Sequence, residues 1–89
     1  MIIYVVFHTL DGFKLVEEGR IVKAFKDRHK ASSLFDSLTN HLYSINVYKK
    51  NTAFIGPILE QMLEIDPEFN IDMKRKIHDG YWIQEVFVE

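Results

Sequence analysis

Hydrophobic residues fall into runs along the chain that predict three β-strands. Residues 2–7 are uniformly apolar and rich in β-branched and aromatic side chains, which is typical of a strand buried on both faces. We therefore expect a central strand over residues 2–8. A short alternation of apolar and polar residues predicts a second strand over residues 20–26. Alternation after Gly80 predicts a third strand over residues 81–88.

The segment after the second strand has the spacing of an amphipathic helix. Asp27 is a good N-cap, because its carboxylate can accept hydrogen bonds from the free amides of the first helical turn. Apolar residues then recur at intervals of three and four, which predicts a helix over residues 28–42. The apolar residues are Ala31, Leu34, Phe35, Leu38 and Leu42. Residues 45–48 stay open, either as a last helical turn or as a short edge strand.

Proline and glycine mark the ends of two further helices. Proline is well suited to the first helical position, so Pro57 predicts the start of a helix over residues 57–65. That helix should end before Asp66, because a residue that precedes proline avoids the α region. Loosely spaced apolar residues predict a short third helix over residues 70–78, which Gly80 closes.

Together these elements predict a single domain of the α+β class over residues 1–89. We expect a small antiparallel three-stranded sheet with two to three helices packed mainly on one face. If the helices leave the other face bare, Tyr4 and one set of side chains from the last strand form an apolar patch there. Such a patch would suit a homodimer through the uncovered sheet face. The alternative is that the loops at residues 9–19 and 43–56 fold over it.

Composition excludes several classes of protein. The chain has 89 residues, of which 47% are hydrophobic, and it contains no cysteine. It therefore has no disulfide framework, no thiolate nucleophile and no cysteine-based metal site. No apolar run approaches the roughly 20 residues of a membrane span, so we expect no membrane partner and a cytoplasmic protein. The four glycines are widely separated, so no phosphate-binding loop is present and we expect no cofactor.

Charge is divided unevenly between the two halves of the chain. Residues 1–50 carry eight basic and five acidic side chains, whereas residues 51–89 carry three basic and eight acidic ones. The basic residues around Lys23–Lys30 suggest a nucleic-acid-binding face, as in proteins whose basic grooves carry exposed aromatic rings. A solvated surface is the simpler interpretation, because the net charge is −2 and nucleic-acid-binding domains are usually basic.

Candidates for catalysis and metal binding are few. His8 precedes Asp11 by three residues, and an imidazole–carboxylate pair there could act as an oriented base. A histidine at the end of a strand, hydrogen-bonded to a turn, explains the same residues. Asp66 and Glu68 could bind a hard cation, but the alternating ligands and central glycine of a calcium loop are missing. We expect no metal site and no enzyme.

Aromatic residues are more numerous than a core of this size can bury. The chain has seven Phe, four Tyr and one Trp. Tyr and Trp are frequent in interface hot spots, because they combine a large rigid surface with a polar tip. The residues that we expect to anchor a partner are Tyr43, Tyr48, Phe54, Tyr81 and Trp82. A charged rim would come either from Lys49 and Lys50 or from Glu60, Glu64 and Glu68.

Three segments of the sequence carry a family resemblance. They are Ile3-Tyr4-Val5-Val6, then Ile21-Val22-Lys23-Ala24-Phe25 with Ala31-Ser32-Ser33-Leu34-Phe35 after it, and Tyr81-Trp82-Ile83-Gln84-Glu85-Val86-Phe87-Val88. This pattern resembles small uncharacterised phage and prophage proteins that have a strand–strand–helix start and a terminal Y-x-I-x-E-x-x-V strand. The resemblance covers the first ~35 residues and the last nine, and not residues 43–79.

The resemblance implies a small phage product made in the infected host cell, which binds and inhibits or redirects one host protein. Together with the excess of aromatic residues, it leads us to expect a non-enzymatic protein-binding module that acts in host takeover or anti-defence by surface occlusion. The alternative is a small nucleic-acid-binding regulator that uses the basic face around Lys23–Lys30.

Overall fold

A computed structural model of the chain describes residues 1–9, 19–48, 50–69 and 80–89. Its elements follow the order β1, β2, α1, α2 and β3. The strands are β1 (Ile2–Thr9), β2 (Arg20–Phe25) and β3 (Gly80–Phe87), and the helices are α1 (Arg28–Tyr48) and α2 (Thr52–Ile65). The predicted α+β class is confirmed. The third helix predicted over residues 70–78 lies outside the described residues.

The three strands form one antiparallel sheet in the order β2-β1-β3. The central position predicted for the first strand is therefore confirmed. The register pairs Tyr4 with Phe25 on one side and with Glu85 on the other. The register with β2 shifts between Val6 and Phe7, which marks a β-bulge.

Helix α1 packs across all three strands, and α2 packs against α1. The core between them contains the fully buried side chains of Val6, Ala31, Leu38 and Met62. Tyr4 packs against this core, so its predicted place on the uncovered sheet face is wrong. The reason is the period of a strand: Tyr4 and Val6 point to the same side.

The sheet face turned away from the helices is not bare at its centre. Val5, Phe7 and Thr9 alternate with the core-facing residues of β1, and they are 4%, 0% and 1% exposed. The indole N–H of Trp82 donates a hydrogen bond to the Thr9 hydroxyl over 2.8 Å. The prediction that an apolar patch is exposed here is therefore wrong for the middle of this face.

Helix α1 begins where the sequence predicts and ends later. The Asp27 carboxylate accepts a hydrogen bond from the amide of His29 at 2.8 Å, which confirms the N-cap. The helix continues through Tyr48 and so settles the open alternative for residues 45–48. Ile45 is 1% exposed and extends the apolar stripe of Leu38 and Leu42 by one more turn.

Helix α2 begins five residues earlier than Pro57 predicts, at Thr52. Pro57 therefore lies inside the helix, where it cannot donate a backbone hydrogen bond to the preceding turn. Gly56 precedes it, and a residue without a Cβ lessens the clash that normally drives a pre-proline residue out of the α region. The end of the helix at Ile65, before Asp66, is as predicted.

Candidate functional site

The turn between α1 and α2 brings together Tyr48 and Phe54, two of the side chains that the sequence predicts to be anchors. Asn51 is the N-cap of α2, and its side-chain oxygen accepts a hydrogen bond from the amide of Phe54 at 3.1 Å. The backbone amide of Asn51 in turn donates a hydrogen bond to the backbone carbonyl of Tyr48 at 2.8 Å. One residue thus ties the last residue of α1 to the first turn of α2.

This turn leaves a group of large apolar side chains in solvent. Tyr43 is 69% exposed, Val47 is 52% exposed, and Tyr48 and Phe54 are each 48% exposed. The rings of Tyr48 and Phe54 pack against each other with centroids 4.6 Å apart and planes tilted by 55°. We call the surface formed by Tyr43, Val47, Tyr48, Phe54 and Lys50 the aromatic corner.

A shallow open depression lies within the corner. It has a volume of about 350 Å³, and the residues that line it are Asn46, Val47, Tyr48, Lys50 and Asn51. Val47 also lies one helical turn after Tyr43, so it connects the depression to the outer face of α1. The apolar wall and the two amide side chains together offer a contact surface with hydrogen-bonding groups at its edge.

The segment that forms the corner carries only positive charge between Asp36 and Glu60. No Asp or Glu occurs between Asp36 and Glu60, whereas Lys49 and Lys50 lie in the turn itself. Lys50 is exposed, and it has no ion pair with the described residues. Lys49 lies outside the described residues. Of the lysine rim that the sequence predicts, Lys50 lines the same depression as Tyr48 and so lies beside the aromatic rings.

The predicted acidic rim lies farther along the chain from the corner. Glu60 and Glu64 follow Phe54 by six and ten residues of one helix, which is about 9 and 15 Å along the axis. Screening in physiological salt acts over roughly 8 Å, so the charge of Glu60 is weakened at the corner and that of Glu64 contributes little there. Glu68 follows α2 and lies 3.7 Å from the Arg20 guanidinium.

Tyr81 and Trp82 do not belong to the corner. Tyr81 is 3% exposed and forms part of the core, and this burial removes it from the candidate surface. Trp82 is half-buried on the opposite face of the sheet, where it bonds to Thr9. Adjacent residues of a strand point to opposite faces, so the two side chains could not form one contact surface.

Tyr81 belongs instead to a buried polar cluster that joins α2 to β2 and β3. Asp66 is 2% exposed and receives two hydrogen bonds from the Arg20 guanidinium, at 2.5 and 2.8 Å. The Tyr81 hydroxyl donates a third at 2.8 Å. The ring of His8 lies 5.1 Å from the ring of Tyr81. The sequence gives no signal for this cluster, because Arg20 and Asp66 are 46 residues apart.

The cluster keeps Asp66 ionised. Burial acts to raise the pKa of Asp66, but hydrogen bonds from Arg20 and Tyr81 and the positive charge of Arg20 outweigh it, so this pKa lies below its usual value. The hydrogen bond to Asp66 likewise raises the pKa of Arg20. A carboxylate that is fully occupied by donors is a structural anchor and a poor general base.

Of the predicted pair of His8 and Asp11, Asp11 lies outside the described residues. His8 itself is 8% exposed. Among the residues that the structure describes, no three His, Asp or Glu side chains form a group that could hold a metal ion. Asp66 faces Arg20 rather than a second carboxylate.

The predicted basic face is exposed in the structure. Lys23, Lys26, Arg28 and Lys30 lie at the end of β2 and the start of α1, and all four are solvent-exposed. The Lys23 ammonium group lies 5.3 Å from the centroid of the Phe25 ring. Phe25 also packs against the core, so only part of its surface is open to a base.

No helix in the described ranges is both long and apolar enough to cross a membrane. Comparison with protein-family models, with curated proteins and with solved structures finds no match to this chain.

Proposed function

We propose that this chain is a non-enzymatic protein-binding module, and that the aromatic corner is its contact surface. The observation that carries the proposal is the exposure of the packed Tyr48 and Phe54 rings at a turn that Asn51 holds in place. Val47 lines the same depression as Tyr48, and Tyr43 lies one helical turn before Val47. Exposed aromatic clusters with a polar rim are typical of protein interfaces. The cap at Asn51 and the packing of Tyr48 on Phe54 hold part of this surface in place, which lowers the entropy lost on binding.

The mechanism in this proposal is occlusion. The corner would cover a site on the partner, and the rigid sheet and helices behind it would block access to that site. This requires no catalytic group in the chain. It accords with the fully paired state of Asp66, the one buried carboxylate among the described residues.

Affinity capture with matched variants tests the proposed surface. We expect the wild-type chain to retain a stoichiometric partner from a bacterial lysate at low salt, and the double variant Tyr43→Ser, Phe54→Ser to lose it. Removal of each hot-spot side chain should weaken binding about 30-fold, because each contributes about 2 kcal/mol, and the double variant about 1,000-fold where the two contributions add. Quantitative mass spectrometry of the eluates measures the loss, and circular dichroism checks that the variants fold.

Phe87→Ser is the matched control for this experiment. Phe87 is 81% exposed but lies at the end of β3, outside the corner. The Phe87→Ser substitution should therefore leave the amount of captured partner unchanged. If the double variant retains the partner as well as the wild type does, the corner is not the contact surface.

We propose further that the partner is a host protein and that the module serves a phage in host takeover or anti-defence. The support for this role is the resemblance of the two ends of the chain to small phage and prophage proteins. Expression in a bacterial host should then arrest growth or restore plating of a restricted phage. The Tyr43→Ser, Phe54→Ser variant should lack this effect at equal protein level, and an unchanged host phenotype with the wild-type chain would count against the role.

A nucleic-acid-binding regulator is the second candidate function, and the exposure of Lys23, Lys26, Arg28 and Lys30 favours it. Electrophoretic mobility shifts across a salt series separate it from protein binding. Affinity for nucleic acid should fall steeply with salt, since each neutralised phosphate releases counterions. Retention of a protein partner with no mobility shift at low salt would reject this second function.

A further inference from the structure

The aromatic corner has a shape and a charge that together define the chemistry of its occupant. We propose that it binds an acidic amphipathic helix of the partner protein, with apolar side chains packed on Tyr43 and Val47 and carboxylates directed at Lys50. This inference rests on the proposed protein-binding function and deepens it. It adds the charge and the secondary structure of the segment that is bound.

The shape of the surface favours a helix. Tyr43 and Val47 lie four residues apart on α1, so their side chains form a ridge on its outer face. Ridges of this spacing pack into the grooves of a second helix. The depression beyond Val47 gives room for one side chain of that helix at the end of the ridge.

The charge of the surface favours an acidic partner. The corner has no acidic residue within the sequence from 37 to 59, and Lys49 and Lys50 are the charges in the turn itself. Complementary potentials raise the rate of association and select against partners of like charge. A basic helix would meet Lys50, which has no ion pair with the described residues.

A single strand of nucleic acid is a less suitable occupant. Bases stack on the open faces of aromatic rings, but the rings of Tyr48 and Phe54 pack against each other at 4.6 Å. Two lysines also provide few phosphate contacts, whereas nucleic-acid affinity depends on many of them. The same two features do not obstruct the packing of an apolar helix.

Three synthetic peptides of about 18 residues provide the probes. They share leucines at i, i+3, i+4 and i+7, and they differ only in a polar face of glutamate, glutamine or lysine. Titration of each into the ¹⁵N-labelled full chain is followed by NMR. We expect the glutamate peptide to bind most tightly, with the largest amide shifts at Tyr43, Val47, Lys50 and Phe54. The lysine peptide should not bind.

Charge reversal at the corner completes the test. Lys50→Glu should weaken binding of the glutamate peptide by about 3- to 10-fold, the effect of one exposed ion pair turned into a repulsion. Lys26→Glu is the control, since Lys26 is an exposed lysine between β2 and α1, and it should leave the affinity unchanged. Added salt should reduce the difference between the two variants.

Each other outcome overturns the inference. Equal binding of all three peptides would show that apolar contact alone determines the affinity. The absence of binding by any peptide would reject a helical occupant. Tighter binding of an oligothymidine to the same amides would assign the corner to nucleic acid. Shifts that depend on protein concentration without peptide would assign it to a second copy of the chain. Capture of a lysate partner through Tyr43 and Phe54 would still stand in the first two cases, so the two proposals fail separately.

Discussion

Replacement of Arg20 by alanine should lower the free energy of unfolding by about 3–5 kcal/mol, because it leaves the buried carboxylate of Asp66 without its cation. Asp66 would keep the hydrogen bond from Tyr81 but would lose both bonds from the guanidinium. A small domain is stable by only about 5–10 kcal/mol, so the variant would be close to unfolding at room temperature. Urea denaturation at pH 7 measures the change.

Arg28→Ala is the matched control. Arg28 is exposed in the first turn of α1 and has no ion pair with the described residues. Its loss should change stability by no more than about 0.5 kcal/mol. If Arg20→Ala and Arg28→Ala have equal effects, the Arg20–Asp66 pair does not stabilise the fold.

The same pair should make stability depend on pH, with opposite sign in the wild type and in Arg20→Ala. In the wild type the pKa of Asp66 is lowered by folding, so its contribution is present above the unfolded pKa of about 3.9 and is lost as the pH falls through the folded pKa. In the variant, the hydrogen bonds and the charge of Arg20 no longer lower the pKa of Asp66, and burial, the largest influence on it, is opposed only by Tyr81 and His8, so we expect this pKa to rise in the folded state. The variant should then gain stability as the pH is lowered from 7 towards 4.

Asp66→Asn provides the reference for this comparison, because it has no carboxyl group to titrate at this position. Unfolding free energies from pH 7 to pH 2.5, with those of Asp66→Asn subtracted, isolate the contribution of Asp66. If the unfolding free energies of the wild type and of Arg20→Ala change with pH in parallel, Arg20 does not control the ionisation of Asp66.

Phe7→Ala should have a similarly large effect, about 3–5 kcal/mol of lost stability, because it leaves a cavity where a ring is now fully buried. Phe7 points away from the helices, so the result also tests whether the second face of the sheet is covered. Phe87→Ala is the control, since Phe87 is 81% exposed and should tolerate the change within about 0.5 kcal/mol. Equal and small losses for the two variants would mean that the second face is bare.

Local signals in the sequence predicted most of the architecture. The uniform apolar run of residues 2–7 predicted the central strand, and Asp27 predicted the start of α1. The errors at α1 and α2 also have local causes. In α1, Ile45 continues the apolar stripe by one more turn than predicted. In α2, Asn51 is the N-cap, so the helix begins before Pro57 and contains it.

The candidate site was predictable in part. The excess of aromatic residues indicates an exposed group, and Tyr43, Tyr48 and Phe54 are exposed, with the rings of Tyr48 and Phe54 in contact. The same excess wrongly predicts Tyr81 on this surface, because composition cannot tell which aromatic side chain has a buried partner. Its partner Asp66 is 15 residues away in the sequence, at the end of α2, whereas Tyr81 lies in β3. No pattern in the residues of α2 or β3 indicates this contact.

Photo-crosslinking from the two most informative exposed positions tests the central claim most directly. A photoreactive phenylalanine analogue is placed at Val47 in the aromatic corner, or at Phe87 at the end of β3, in otherwise wild-type chains. After irradiation in a bacterial lysate at low salt, the account predicts one dominant crosslinked protein from position 47 and none from position 87. A dominant partner from position 87, with none from position 47, would contradict the account.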